Sequence, residues 1–481
     1  SFGRDSLKAN TTGSNNVAIG SLALTDNITG GNNTAVGFSC LRYGTNGSNN
    51  TALGSGALSY STALNNTAVG SQALLSNTTA AQNTAVGALA LDANTTASNN
   101  TAVGYNSLGS NTTGTENVAV GAFNLGNNTT SSHNTSIGYA SLQFNNGSDN
   151  TGLGYLALRA NTTGTQNVAV GSLALDANTT ASSNTAVGFK GLTANTTGNH
   201  NIGIGNKALQ SNTTGTSNTA VGSNALGLNT TADENTALGH LALLSNTTGT
   251  SNVAVGYGAL DSNTTANQNT AIGHNSLQNN STGEQNTAVG RGSMHSNGTG
   301  DFNVGIGKRA LYTNSTGSQN TAVGTNALDN NSTADNNTAV GYAALGENST
   351  GISNTAVGAN ALDANTTASD NTAVGYEALT ANSTGFSNCA FGKDALLNNT
   401  TAPNNTAIGR SALALVTTGE QNTAVGRSAG NVITTGDNNL TLGYNSDPSS
   451  ATADNEVTLG NSSIATLRCN VQTISSLSDA R

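Results

Sequence analysis

The chain has 481 residues, of which 8% are charged and 4% aromatic, and its formal net charge at pH 7 is −10. Trp is absent, so the sequence cannot build a large aromatic core, and the acidic balance without a run of Lys or Arg argues against a nucleic-acid partner. No apolar stretch approaches the roughly 18 residues of a membrane-spanning helix, so we expect no membrane insertion.

A five-residue stretch recurs along almost the whole chain. It reads Asn66-Thr67-Ala68-Val69-Gly70 in one occurrence, and its closing glycine can be followed from Gly3 to Gly460 at intervals of 17 residues. Two intervals, those ending at Gly70 and Gly154, are 16 residues long. A fixed period of this kind is typical of a solenoid, in which each repeat buries its apolar side only against its neighbours.

We number each repeat from its glycine, which is position 0. Leu74 and Asn77 are then positions 4 and 7 of the repeat that begins at Gly70. Residues 1–460 are predicted to form a shaft of about 27 repeats, and residues 461–481 a non-repetitive β segment or tip.

Each repeat predicts an all-β coil. Thr67, Ala68 and Val69 alternate with period two, which is typical of a short strand with Thr67 and Val69 on one face and Ala68 on the other. Gly, Asn and Thr crowd every repeat, which excludes a helix. We expect a parallel β-solenoid with about two strands and two turns per coil, and with the leucine at position 4 in the core.

The turns are predicted at asparagine. Asn77 begins an Asn-Thr-Thr corner and Asn66 opens the strand, and stacked asparagines can form amide ladders from coil to coil. The two short repeats lack a residue in this corner region. The Asn-x-Thr triplets are therefore interpreted as turns and not as glycosylation sites.

The remaining polar and sulfur-containing residues predict no chemistry. Most charged residues and all five histidines fall at positions 1, 2, 5, 6, 11 or 12, which we expect to face solvent, with the histidines unpaired. Cys40 and Cys389 replace small repeat residues and are interpreted as buried. We find no catalytic constellation, phosphate loop or metal-ligand set, so we predict no enzyme activity, no cofactor and no metal site.

The strand motif carries a resemblance. Asn117-Val118-Ala119-Val120-Gly121 resembles the Ser-Val-Ala-Ile-Gly repeats of trimeric autotransporter adhesin heads, which are left-handed parallel β-rolls with shorter repeats. The resemblance covers residues 3–460 and implies a homotrimer. It also implies that the small strand alanines, such as Ala68, Ala85 and Ala102, let three chains approach closely.

The C-terminal segment carries a second resemblance. The period stops at Gly460, and the chain ends in Ser478-Asp479-Ala480-Arg481. This is similar to the Ser-Asp-x-Arg junction that precedes the self-cleaving intramolecular chaperone of phage tail fibres and tail spikes. The resemblance implies processing between Ser478 and Asp479.

These features predict a structural fibre, a phage tail-fibre shaft that presents a receptor-binding tip. We expect a homotrimer in the virion tail or an extracellular appendage, with a cell-surface glycan or protein as receptor. The alternatives are the head of a bacterial trimeric adhesin, an ice-binding solenoid and a glycan-cleaving tail spike. The last lacks clustered carboxylates and aromatic platforms, and the ice-binding alternative lacks threonine at alternate strand positions, since Thr95 and Thr96 are adjacent.

Overall fold

A computed structural model describes residues 1–466 and residue 468. Within them the chain is all-β, with 27 strands and no helix. The chain divides into two compact units, Ser1–Thr282 and Gly283–Arg481. Strands β1–β16 lie in the first unit and β17–β27 in the second.

Every strand has three residues, and in order from β1 to β27 the strands are Val17–Ile19, Thr34–Val36, Thr51–Leu53, Thr67–Val69, Thr84–Val86, Thr101–Val103, Val118–Val120, Thr135–Ile137, Thr151–Leu153, Val168–Val170, Thr185–Val187, Ile202–Ile204, Thr219–Val221, Thr236–Leu238, Val253–Val255, Thr270–Ile272, Thr287–Val289, Val304–Ile306, Thr321–Val323, Thr338–Val340, Thr355–Val357, Thr372–Val374, Cys389–Phe391, Thr406–Ile408, Thr423–Val425, Leu440–Leu442 and Val457–Leu459.

Consecutive strands pair in parallel within each unit. In the first unit Thr84 lies opposite Thr101, so identical repeat positions stack on one another. The second unit repeats the arrangement, for example with Thr338 opposite Thr355. The predicted parallel β-solenoid with 17-residue coils is confirmed.

The prediction of two strands per coil is wrong, because each coil has one strand, at positions 14 to 16. The other sides of the coil are turns whose backbone groups still bond to the next coil. Leu74 donates its N–H to the carbonyl of Ala90 at 2.9 Å, and Thr78 donates to Thr95 at 3.0 Å. Successive coils are therefore joined around their whole circumference.

The strand alanine points into the coil. Ala68, Ala85 and Ala102 are completely buried, whereas the threonine and valine on either side of each are partly exposed. The expectation that these alanines let three chains approach closely is therefore wrong, because they face the interior of their own coil. In most coils the interior consists of alanines at positions 3 and 15, leucine at position 4, asparagines at positions 7 and 13, and alanine or glycine at position 10.

Two backbone features make this narrow interior possible. Gly87 has φ of 140°, and a Cβ atom there would lie 2.3 Å from the carbonyl oxygen of Gly104, so position 0 accepts only glycine. Leu91, at position 4, has φ of 52°, which is unusual for a leucine, and its side chain is completely buried. The left-handed turn directs the one large side chain of the coil inward.

Both short coils lack position 9. Thr62 and Asn146 each occupy position 8 and donate their N–H to the position 8 carbonyl of the next coil, at 2.9 Å to Thr78 and 2.8 Å to Thr162. The strands before and after keep their register, with Thr51 opposite Thr67. The prediction that these repeats are shortened in the corner is confirmed.

The solenoid ends before the C-terminal segment. Residues 461–466 contain a turn at Ser462 and Ser463 and no strand, so the strand-like interpretation of this part is wrong. The remainder of the segment, apart from Arg468, lies outside the described residues.

Candidate functional surface

A ladder of buried asparagine amides runs along position 7. Asn77 donates its Nδ2 to the carbonyl of Ala80 at 3.0 Å, and its Oδ1 accepts a bond from Asn94 Nδ2 at 3.0 Å. Its side chain is completely buried. The amide that a glycosylating enzyme would modify is thus enclosed and already bonded, which supports the interpretation of this triplet as a turn.

A second ladder runs along position 13. Asn66 Oδ1 accepts the backbone N–H of Asn83 at 2.9 Å, and its Nδ2 donates to the Ala80 carbonyl at 3.0 Å. The carbonyl of Ala80 therefore accepts one amide from its own coil and one from the preceding coil. The predicted asparagine ladders are present, and both lie in the interior, where each satisfies backbone groups that a small apolar side chain would leave unpaired.

The position 13 ladder ends at Glu456. This residue still donates its N–H to Asn439 Oδ1 at 3.0 Å, but its carboxylate turns back to the Ser449 backbone N–H at 2.7 Å and to the Ser449 hydroxyl. These bonds lower the pKa of the Glu456 carboxyl. An asparagine amide at position 13 donates to a carbonyl of the following coil. A carboxylate has no hydrogen to donate and needs no such acceptor, so glutamate suits the last regular coil.

We call the outward side chains at positions 14 and 16 the strand face. In all 27 strands these positions carry threonine, cysteine or an apolar residue and never a charge. The larger side chains are strongly exposed, for example Leu53 at 47% and Leu238 at 48%. Parallel sheets are normally covered on both faces, so a continuous uncharged strand face is the most unusual surface of each unit.

The cysteines differ in their surroundings. Cys40 is completely buried at position 3, where desolvation raises the pKa of its thiol to about 11. Cys389 lies at position 14 on the strand face and is partly exposed, so the prediction that it is buried is wrong. Desolvation raises the pKa of its thiol, but the side chain is accessible enough to serve as a cross-linking probe of that surface.

Charged side chains are exposed at positions 1 and 12 but are only partly exposed at several other positions, and position 5 shows this most clearly. Asp92, Asp176, Asp261 and Asp363 all lie there and are only partly exposed, and desolvation raises the pKa of each carboxyl. Position 5 lies directly after the buried leucine, which explains why its side chain is partly covered. The expectation that position 5 is fully in solvent is therefore wrong.

The prediction that the histidines are unpaired is wrong for His133, His240 and His274. His133 lies between two carboxylates of adjacent coils, with Nε2 3.4 Å from Glu116 and Nδ1 3.2 Å from Asp149. His240 and His274 stack on the two sides of Tyr257, with ring centroids 5.5 Å and 5.1 Å apart. Stacking of coils brings together side chains that are 16 or 17 residues apart in sequence.

Position 1 forms a second exposed row, which we call the position 1 row. It carries aromatic residues in several coils, and in five consecutive coils of the second unit it reads Tyr376, Lys393, Arg410, Arg427 and Tyr444. All five side chains are exposed. No position 1 residue in the chain is acidic. Sequence reasoning missed this cluster because no two of the five residues are close in the chain.

The predicted structural positions divide into two sets. Asn66, Ala68, Leu74 and Asn77 are buried, and Thr67 and Val69 lie on the strand face, with Gly70 at the turn that follows. The possible processing site at Ser478 and Asp479 lies outside the described residues.

Comparison of this chain with protein-family models and with curated sequences finds no match. Among residues 1–466 and 468, no His, Cys, Asp or Glu cluster could hold a metal ion, and none of the elements is a helix that could span a membrane.

Proposed function

We propose that this chain is a structural fibre subunit, the shaft of a phage tail fibre, and that it assembles as a parallel homotrimer through its strand face. The observation that carries the proposal is the outward surface of the strands, which is uncharged throughout and apolar at position 16 of every strand. Its role is mechanical: backbone bonds between coils and the asparagine ladders stiffen the chain, and the assembly displays polar side chains toward a host surface.

The strand face supports assembly with other copies of the same chain. Its composition changes little from coil to coil, so a second copy in the same direction would place like residues opposite each other at every level. Identical aliphatic side chains can pack against each other without penalty, whereas identical charged side chains would repel each other. Covering the face would also remove the exposed apolar surface that a lone solenoid presents.

The tail-fibre assignment rests on the sequence resemblances. The strand motif resembles trimeric adhesin heads, and Ser478-Asp479-Ala480-Arg481 is similar to the chaperone junction of phage fibres. An adhesin head on a bacterial surface would use the same coil and the same assembly. The two are separated by whether the gene continues into a chaperone domain or a membrane anchor.

Native mass and cross-linking test the assembly. Light scattering should give three times the mass of one chain. Mild oxidation with a copper–phenanthroline catalyst and oxygen should then join copies through Cys389 in a Cys40→Ala, Cys469→Ser background. The two thiolates lose two electrons to oxygen as the disulfide forms.

The matched controls move the thiol within the same background. Cys389→Thr with Thr406→Cys places it at the same position one coil later and should cross-link equally well, whereas Cys389→Thr with Thr197→Cys places it at an exposed corner and should not. A monomeric mass would refute the assembly. An oligomer that cross-links only through residue 197 would refute the strand face as the interface.

The composition of the strand face also argues against the ice-binding alternative. Threonine at position 14 alternates with an aliphatic residue and not with a second threonine, and position 14 itself is valine in β7, β10, β15 and β18. We therefore expect no thermal hysteresis from the purified chain. A clear hysteresis together with a monomeric mass would favour ice binding over the fibre.

A further inference from the structure

The stretch of the position 1 row from Tyr376 to Tyr444 is a concentrated basic site on an acidic protein. Its three cations, Lys393, Arg410 and Arg427, follow one another in adjacent coils, which are about 4.8 Å apart in a parallel ladder. The chain as a whole has 24 acidic and 14 basic residues. Three like charges in direct succession repel one another unless an anion lies across them.

The cations are only partly neutralised by the protein. Lys393 Nζ lies 3.8 Å from the carboxylate of Asp394, which is only partly exposed, and at this distance the ion pair is weak. Arg410 and Arg427 make no ion pair with any residue among 1–466 and 468. Two further acidic side chains of these coils already have partners: Glu377 bonds to the Tyr376 hydroxyl, and Asp447 accepts the Val432 N–H at 3.4 Å.

The flanking tyrosines orient the cations. Lys393 Nζ lies 5.2 Å from the Tyr376 ring centroid, and the Arg427 guanidinium lies 5.6 Å from that of Tyr444. Cation–π contacts hold both side chains along the row, which lowers the entropy lost when a ligand binds. The exposed rings and hydroxyls add surfaces on which sugar rings can pack and to which sugar hydroxyls can bond.

We infer that this stretch, residues 376, 393, 410, 427 and 444, binds an acidic polysaccharide laid along the coils. Such a chain carries carboxylates or sulfates spaced by whole sugar rings, a spacing similar to one cation per coil. Arginine and lysine would bind the anionic groups, and the tyrosines would contact the sugars. A nucleic acid is disfavoured, because its dense phosphates would also meet the acidic remainder of the protein.

This inference deepens the proposed attachment role and assigns it a lateral site on the shaft. The site lies two residues beyond the position 16 side chain, so it borders the strand face and is not part of it. If this inference fails, the proposed assembly is unaffected. Native mass measures the assembly, whereas polysaccharide binding measures this site.

The test is binding of the full chain to polygalacturonate, with neutral dextran as the control polymer, at low and at physiological salt. The variant is Arg410→Ser with Arg427→Ser, since serine occupies position 1 naturally at Ser172 and Ser223. The matched control is Arg291→Ser with Lys308→Ser, which removes two adjacent cations of the same row and unit that lack flanking tyrosines.

We expect the wild type to bind polygalacturonate and not dextran. The Arg410 and Arg427 variant should lose roughly fivefold to tenfold in affinity, and the control pair less than about twofold. Equal losses in both pairs would mean diffuse electrostatic attraction and would refute the site. The absence of binding, or equally tight binding of single-stranded oligothymidine, would also refute it.

Discussion

At the residue scale, the unusual element is the leucine at position 4. A left-handed backbone costs an ordinary residue roughly 1–2 kcal/mol, and burying a leucine side chain contributes about 1.5–3 kcal/mol. Leu91 combines the two, with φ of 52° and complete burial. The free energy gained by burying one leucine per coil therefore offsets the cost of the left-handed turn that directs it inward.

The asparagine ladders should tolerate no charge. In Asn178→Asp the carboxylate would replace an amide that donates to Asn161 Oδ1 at 2.8 Å and to the Ala181 carbonyl at 3.0 Å. A buried anion would then face two acceptors, so we expect the local free energy of unfolding to fall by about 2–4 kcal/mol. Hydrogen exchange of the neighbouring amides measures this loss.

The control is the same change at position 11. Asn199 accepts the Ser182 N–H at 2.7 Å through its oxygen, and Asp233 accepts the equivalent bond from Thr216 in another coil. Asn199→Asp should therefore leave exchange near the wild-type value. Equal losses in the two variants would contradict the interior ladder.

Asp92 provides a prediction about pH. Desolvation raises the pKa of its carboxyl above the ordinary value of 3.8, so the folded state holds the proton more tightly than the unfolded chain. Above its folded-state pKa the ionised carboxylate destabilises the coil, and this penalty disappears as the pH falls through that pKa and below 3.8.

Asp92→Asn should therefore stabilise the protein at pH 7 by roughly a few tenths of a kcal/mol, since solvent still screens the group. The difference from wild type should vanish near pH 3, as measured by thermal unfolding. If Asp92→Asn stabilised the protein more at low pH than at pH 7, the raised pKa of Asp92 would be contradicted.

At the element scale, the corner and the strand differ in their tolerance of a lost residue. The natural 16-residue coils omit position 9, and their strands remain in register. Deleting Thr197, which occupies position 9, should therefore leave the protein folded. Deleting Ala186 from β11 should disrupt the local coil, because a shift of one residue exchanges the inward and outward side chains.

Limited proteolysis distinguishes the two deletions. We expect new cleavage near residue 186 in the strand deletion and a wild-type pattern in the corner deletion. Equal protease sensitivity of both variants would mean that the corner tolerates a deletion no better than the strand does.

At the scale of the whole molecule, stacking creates surfaces that no single repeat contains. Each unit presents one continuous uncharged strand face, and in the second unit the position 1 row concentrates three cations on a chain whose net charge is −10. In a solenoid each coil contacts only its neighbours, so such rows can change from coil to coil without altering the fold. Function can therefore vary along the row while the interior stays constant.

The sequence by itself determined the period, the parallel solenoid, the buried leucine at position 4 and the asparagine corners. These follow from strict local spacing, and the short repeats around Thr62 and Asn146 located the corner from sequence alone. Only the tertiary structure decided which way the strand faces, because alternation separates Ala68 from Val69 without saying which of them lies inside. The left-handed turn at Leu74 decides it, since it fills the interior with leucine and leaves room beside it only for a small side chain such as alanine. The basic row likewise exists only after coils stack, because stacking brings residues 17 apart in sequence into contact.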